Sequence, residues 1–166
     1  MSCRHLIIAT LLSLAPVMVT AQGAQVAFGG LQHDSSLPIE MAAESLSIDQ
    51  ENGAAVFTGN VRIGQGDMRL SANVVDVNYS NGDAGSGQIE RLHAKGDVIF
   101  VSGEEVAEAQ EAIYTIGDGK LTMTGDVVLT QGRNAMSGGR LDINLDDGTG
   151  VMTGNVSVIF QSGSNE

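Results

Sequence analysis

Phe57-Thr58-Gly59-Asn60-Val61-Arg62-Ile63 decides how this chain is read, because three later stretches echo it. They are Ala94-Lys95-Gly96-Asp97-Val98-Ile99-Phe100, Met123-Thr124-Gly125-Asp126-Val127-Val128-Leu129 and Met152-Thr153-Gly154-Asn155-Val156-Ser157-Val158. Each has Gly, then Asn or Asp, then Val, with another large apolar residue two places on. Gly reaches positive φ without a Cβ penalty, and Asx side chains bond their own backbone, so Gly-Asx is turn chemistry. Apolar residues two apart then share one face of a strand. The unit predicts a turn feeding a strand with one buried face.

A second signature alternates with the first: Ala43-Glu44-Ser45-Leu46-Ser47-Ile48, Ala72-Asn73-Val74-Val75-Asp76-Val77, Ala109-Gln110-Glu111-Ala112-Ile113-Tyr114 and Gly138-Gly139-Arg140-Leu141-Asp142-Ile143. Steps of 13 and 16 residues alternate between the two signatures, a period of 29, and only the step from Ala72 to Gly96 is longer, by eight. That insertion is assigned to residues 80–88, where Asn81-Gly82-Asp83-Ala84-Gly85-Ser86-Gly87 is loop by composition. A fixed period of this size marks stacked supersecondary units, none of which can bury its apolar face alone. The expected fold is therefore all-β, from 39 onward. Residues 104–113 have helix-forming composition, but they occupy a repeat position that reads as strand in the other units, and strand is assigned.

Stacking the units predicts continuous apolar ladders. Val61 and Ile63, Val98 and Phe100, Val127 and Leu129, Val156 and Val158 take equivalent places in one signature. Leu46 and Ile48, Val75 and Val77, Ala112 and Tyr114, Leu141 and Ile143 do so in the other, and Phe57, Ala94, Met123 and Met152 form a further row. The chain has no Trp and seven Met, so this interior is aliphatic and adaptable, suited either to a packed core or to a deformable lipid-accepting groove.

The 166 residues suffice for one domain with a real core. Residues 1–21 read as a cleavable export signal: Arg4 and His5, an apolar run over 6–19, and Val19-Thr20-Ala21 as the cleavage site, with Ala24 the alternative. The run is too short, and interrupted by Pro16, for a span of ~20 residues. Cys3, the sole cysteine, lies in that segment, so no disulfide or thiolate-bound group is expected in the exported chain. Residues 22–37 read as a flexible lead-in, 38–160 as the domain and 161–166 as a polar tail. The formal charge of −12, about −13 without Arg4, argues against nucleic-acid partners, which require a basic footprint.

Reaction chemistry is sparse. His33 and His93 have no acidic or hydroxyl partner at a telling spacing, and G-x-S-x-G, P-loop and H-E-x-x-H motifs are missing. Asp142-Ile143-Asn144-Leu145-Asp146-Asp147 opens like a calcium loop. However, Asp147 stands where Gly is needed and Thr153 where Glu is needed, and strand alternation explains the pattern better. Neither an enzyme nor a cofactor is expected.

Leu37-Pro38-Ile39-Glu40-Met41-Ala42-Ala43-Glu44-Ser45-Leu46, Val56-Phe57-Thr58-Gly59-Asn60-Val61, Gln65-Gly66-Asp67-Met68-Arg69-Leu70, Leu121-Thr122-Met123-Thr124-Gly125-Asp126-Val127 and Leu129-Thr130-Gln131-Gly132 together resemble the OstA-like family. The resemblance covers 38 to about 160. It implies an antiparallel β-jellyroll open at both ends that holds the acyl chains of lipopolysaccharide. It also implies a periplasmic bridge between an inner-membrane-anchored OstA-like partner and the amino-terminal domain of the outer-membrane lipopolysaccharide translocon. The lipid-facing candidates are the ladder residues Leu46, Ile48, Phe57, Val61, Ile63, Val75, Val77, Val98, Phe100, Tyr114, Val127, Leu129, Leu141 and Ile143. An exported structural β-solenoid or adhesin-like protein with a dry core is the alternative. Unblunted strand edges near 39–48 and 155–160 predict head-to-tail self-association.

Overall fold

The computed structural model describes residues 23–27, 34–49, 51, 53–80 and 87–161. The expected export signal, Cys3, His33, most of the insertion and all but the first residue of the polar tail lie outside these. One antiparallel sheet holds eleven strands. They are β1 (Ala24–Ala27), β2 (Glu40–Ala42), β3 (Ser45–Asp49), β4 (Ala54–Gln65), β5 (Met68–Tyr79), β6 (Ile89–Ser102), β7 (Glu105–Thr115), β8 (Lys120–Gln131), β9 (Asn134–Asn144), β10 (Thr149–Thr153) and β11 (Ser157–Ile159). The spatial order is β1-β10-β9-β8-β7-β6-β5-β4-β2, with β3 also on β4 and β11 also on β9. The helix-prone 104–113 stretch is indeed strand, most of β7, so tertiary pairing overrides its propensity.

The Gly-Asx pairs are not turns between strands, as their chemistry alone suggests. They lie inside β4, β6 and β8, and between β10 and β11. All four pairs are left-handed at both residues, with Gly φ of 76–86° and Asx φ of 44–54°. In β4, Gly59 and Asn60 together oppose the single residue Asn73, a β-bulge that bends the strand. The same register shift recurs along the sheet. The tight turns fall instead at Gly66-Asp67, Gly103-Glu104 and Gly132-Arg133, two-residue hairpin loops with Gly at positive φ in the first place.

A line of bends divides the sheet into two leaves. The first comprises β3, residues 54–58, 74–78, 91–95, 111–115, 120–124 and 140–144, β10 and β1. The second comprises β2, residues 61–65, 68–72, 98–102, 105–109, 127–131 and 134–138, and β11. Inward side chains of both leaves form one apolar core. Between β5 and β6 the strands stay paired up to the insertion, with one register shift beside it where Asn78 faces Arg91 and Tyr79 faces Ile89. The Ser80 amide donates to the Gln88 carbonyl across its base at 2.8 Å.

The lead-in over 22–37 departs from the expected loose segment. Within it, β1 pairs with β10 through Ala24↔Met152, Gln25↔Val151, Val26↔Gly150 and Ala27↔Thr149, and Val26 is buried. The chain's edges follow from this. β2 and β3 form one end, as expected, but at the other end β11 edges only the second leaf and β1 edges the first.

Candidate functional site

The two leaves bring the sequence's apolar ladders together in the interior. Register places Leu46, Phe57, Val75, Ala94, Ala112, Met123, Leu141 and Met152 side by side in one row of the first leaf. Two series that the sequence shows as separate thus merge into one ladder. A second row carries Ile48, Ala55, Val77, Leu92, Tyr114, Leu121 and Ile143. Facing them, the second leaf supplies Met41, Ile63, Leu70, Phe100, Ala107 and Leu129, flanked by Val61, Val98 and Val127.

Along most of the roll these rows are tightly closed. Val61, Ile63, Val75, Val77, Val98, Phe100, Tyr114, Val127, Leu129, Leu141 and Ile143 are all buried. The leaves meet opposite the bends, where the Tyr114 hydroxyl of the first leaf donates to Gln65 Oε1 of the second at 3.0 Å. Gln65 Nε2 in turn donates to the carbonyls of Ser35 and Leu37, at 2.9 Å each. Burial, and secondarily the Asp146 carboxylate, push the Tyr114 phenol up to about 12.

At the β2/β3 end the closure stops. Leu46 and Ile48 continue the inner rows yet are 52% and 50% exposed, and Phe57 beside them is half-buried. Among the described residues no strand lies beyond β2 and β3, so the rows run out into a mouth. A groove of about 690 Å³ runs along the β2 edge of the second leaf, lined in part by Glu40, Met41, Ile63, Arg62 and Arg69. Toward the opposite end the same two rows reach Met152 and Val26, both buried.

Alternation also identifies row members that the repeat signatures pass over: Ala55, Leu70, Leu92, Ala107 and Leu121. Gln65 is another, a polar residue in phase with Val61 and Ile63. Among the described residues no buried side-chain N or O lacks a partner. No group of three His, Cys, Asp or Glu among them is placed to hold a metal.

The calcium-like stretch is strand followed by turn. Leu141, Ile143 and Leu145 point in, while Asp142 is bound by Arg140 and by the Thr122 hydroxyl, and Asn144 Oδ1 accepts from the Asp146 amide. Partial burial alone would raise the Asp142 pKa, but hydrogen bonds from Arg140 and Thr122 and the guanidinium charge outweigh it and lower the value. His93 is not alone either. Its Nε2 lies 3.2 Å from Glu111 Oε2 on the neighbouring strand, a pairing across 18 residues that needs the sheet register to be seen.

The sequence matches, over residues 40–149, the family described as "LptA/(LptD N-terminal domain) LPS transport protein". The chain belongs to this family. Its fold is similar to that of LptH from Pseudomonas aeruginosa, described as the LptA-homologous periplasmic component of the conserved lipopolysaccharide transport device. The TM-score is 0.69 at 17% identity, covering 78% of this chain and 99% of LptH. At that identity the likeness speaks for the fold, an LptA-like antiparallel β-jellyroll whose sheet does not close on itself. An uncharacterized protein of Rhizobium meliloti (strain 1021) is 30% identical over 108 residues, 63% of this chain. The chain covers 58% of that relative's length.

Proposed function

We propose that this LptA-family protein is a periplasmic lipopolysaccharide carrier that holds acyl chains between its two leaves and bridges the inner and outer membranes. Residues 1–21 act as a leader removed on export, and 38–160 carry the lipid. The carrying observation is the pair of apolar rows that emerge at Leu46 and Ile48, on the inner face but half exposed. Family membership supports lipid transport over a purely structural solenoid, and over catalysis.

With a formal charge of −12 the chain as a whole repels phosphate-bearing lipid, so attraction must come from acyl burial, about 0.8 kcal/mol per CH₂. Arg62, in the groove along the β2 edge, is a cation within reach of a headgroup phosphate there, next to Glu40 and to Arg69, whose Nη1 donates to the Gly66 and Met68 carbonyls. Since the interior is packed in the single chain, acyl chains enter by parting the leaves about the bends. The partners are lipopolysaccharide, an inner-membrane-anchored protein of like fold, the translocon's amino-terminal domain, and further copies of the chain joined head to tail.

The test compares two apolar-to-Glu variants in lipopolysaccharide binding. Leu46→Glu at the mouth should weaken binding at least tenfold, a factor of about 1.4 kcal/mol. Ile113→Glu, on the outer face, should leave it near the parent. Circular dichroism verifies folding in both. Equal effects from the two substitutions would remove the interior as the binding site.

A further inference from the structure

The C-terminal end of the first leaf is already occupied, and by a strand that imitates β3. In the first leaf every neighbour is antiparallel from β3 through β10 to β1, so β1 runs in the same direction as β3. Thr153-Gly154-Asn155 repeats Thr58-Gly59-Asn60, with left-handed φ at Gly and Asn in both. Laying β3 on this edge of β10 in the register that β5, its repeat equivalent, uses on β4 (Val75 opposite Phe57, Val77 opposite Ala55) puts Leu46 opposite Met152 and Ile48 opposite Gly150. Ala24 and Val26 of β1 hold those very places.

β1 is thus apolar-polar-apolar in phase with Leu46-Ser47-Ile48, with smaller side chains. Val26 is 5% exposed whereas Ile48, with no strand beyond it among the described residues, is 50% exposed. Among the described residues the second leaf carries no such stand-in: β11 pairs with β9 only, and Ile159 at its end and Phe160 just after it are exposed. β2 of another copy would meet β11 antiparallel, by the same alternation.

We propose that β1 is a displaceable cap, occupying the slot on β10 that β3 of a second copy takes when two chains join head to tail. The incoming end is the stronger binder. It brings five ladder residues to the four of β1, Leu and Ile in place of Ala and Val, and β2 for β11 as well. A cap of this kind sets a threshold for association and shields the edge of an unjoined chain. The inference rests on the head-to-tail reading above and adds the residue segment that regulates it.

The register pair Gln25 and Val151 permits a lock. In the full chain with Cys3→Ser, Gln25→Cys and Val151→Cys are introduced and oxidised, and light scattering follows association against concentration. The oxidised lock should remain monomeric at concentrations at least tenfold above those at which its reduced form associates. Val26→Asp, which loosens β1, should bring the onset about tenfold lower than in the parent, a factor equal to ~1.4 kcal/mol. If the oxidised lock associates as readily as the reduced form, the cap is overturned and head-to-tail joining stands. Disulfides formed between copies would show that β1 is exchanged and not displaced, which also overturns it. If the parent, the reduced form and Val26→Asp all remain monomeric, head-to-tail joining falls, and the cap with it.

Discussion

Gly125→Ala tests the bend on which the two-leaf interior depends. Gly125 sits at φ +86°, a region that costs an L-residue roughly 1–2 kcal/mol. A Cβ built there would also lie 2.7 Å from Gln110 Cβ and 2.9 Å from its Cγ, closer than real Cβ contacts come, so Gln110 or the bend must shift. Adding about 1–2 kcal/mol for that overpacking gives a loss of about 2–4 kcal/mol. Gly132→Ala is the control, since Gly132 also has positive φ, +56°, but a Cβ there meets nothing within 4 Å. Only the backbone term, about 1 kcal/mol, should remain. Urea unfolding reads the difference. With a slope of roughly 1–3 kcal/mol per M, Gly125→Ala should lower the midpoint by about 1–2 M and Gly132→Ala by well under 1 M. If the hairpin substitution costs as much as the bend substitution, close approach at the bends is not what restricts them to Gly.

Phe100→Ala, at 0% exposure in the second leaf, should cost about 3–5 kcal/mol in the same assay, while Leu46→Ala at the mouth costs under about 1. The Tyr114 phenol is raised from 10.0 to about 12, by burial first and Asp146 second. A folded value above the unfolded one means that its contribution is complete below pH 10 and is lost as pH climbs through 12. Unfolding midpoints from pH 8 to 12 should therefore fall more steeply for the parent than for Tyr114→Phe. Parallel curves would remove Tyr114 from the alkaline transition.

The repeat made the fold legible. Alternation within each signature fixes which residues point inward, and all the ladder residues from Val61 to Ile143 proposed for the site share one core. Placement of the Gly-Asx pairs was not legible, because a tight turn and a mid-strand bulge use the same left-handed chemistry. Only pairing partners tell them apart: Asn73 opposite Gly59-Asn60, for instance. Register likewise decides that Phe57 and Val75 stand in one row, that His93 meets Glu111, and that Leu46 and Ile48 end the rows at an open mouth. β1 escapes sequence reading for another reason. Four residues in a polar stretch show no period, and their strand conformation is conferred by the edge of β10.

Mass spectrometry of material extracted from natively purified, exported protein tests lipid carriage most directly. The account predicts acylated lipid of the lipopolysaccharide type in the parent, depleted in Leu46→Glu and retained in Ile113→Glu. Folded parent protein that is free of acyl lipid, and that takes up none when lipopolysaccharide is supplied, would contradict it.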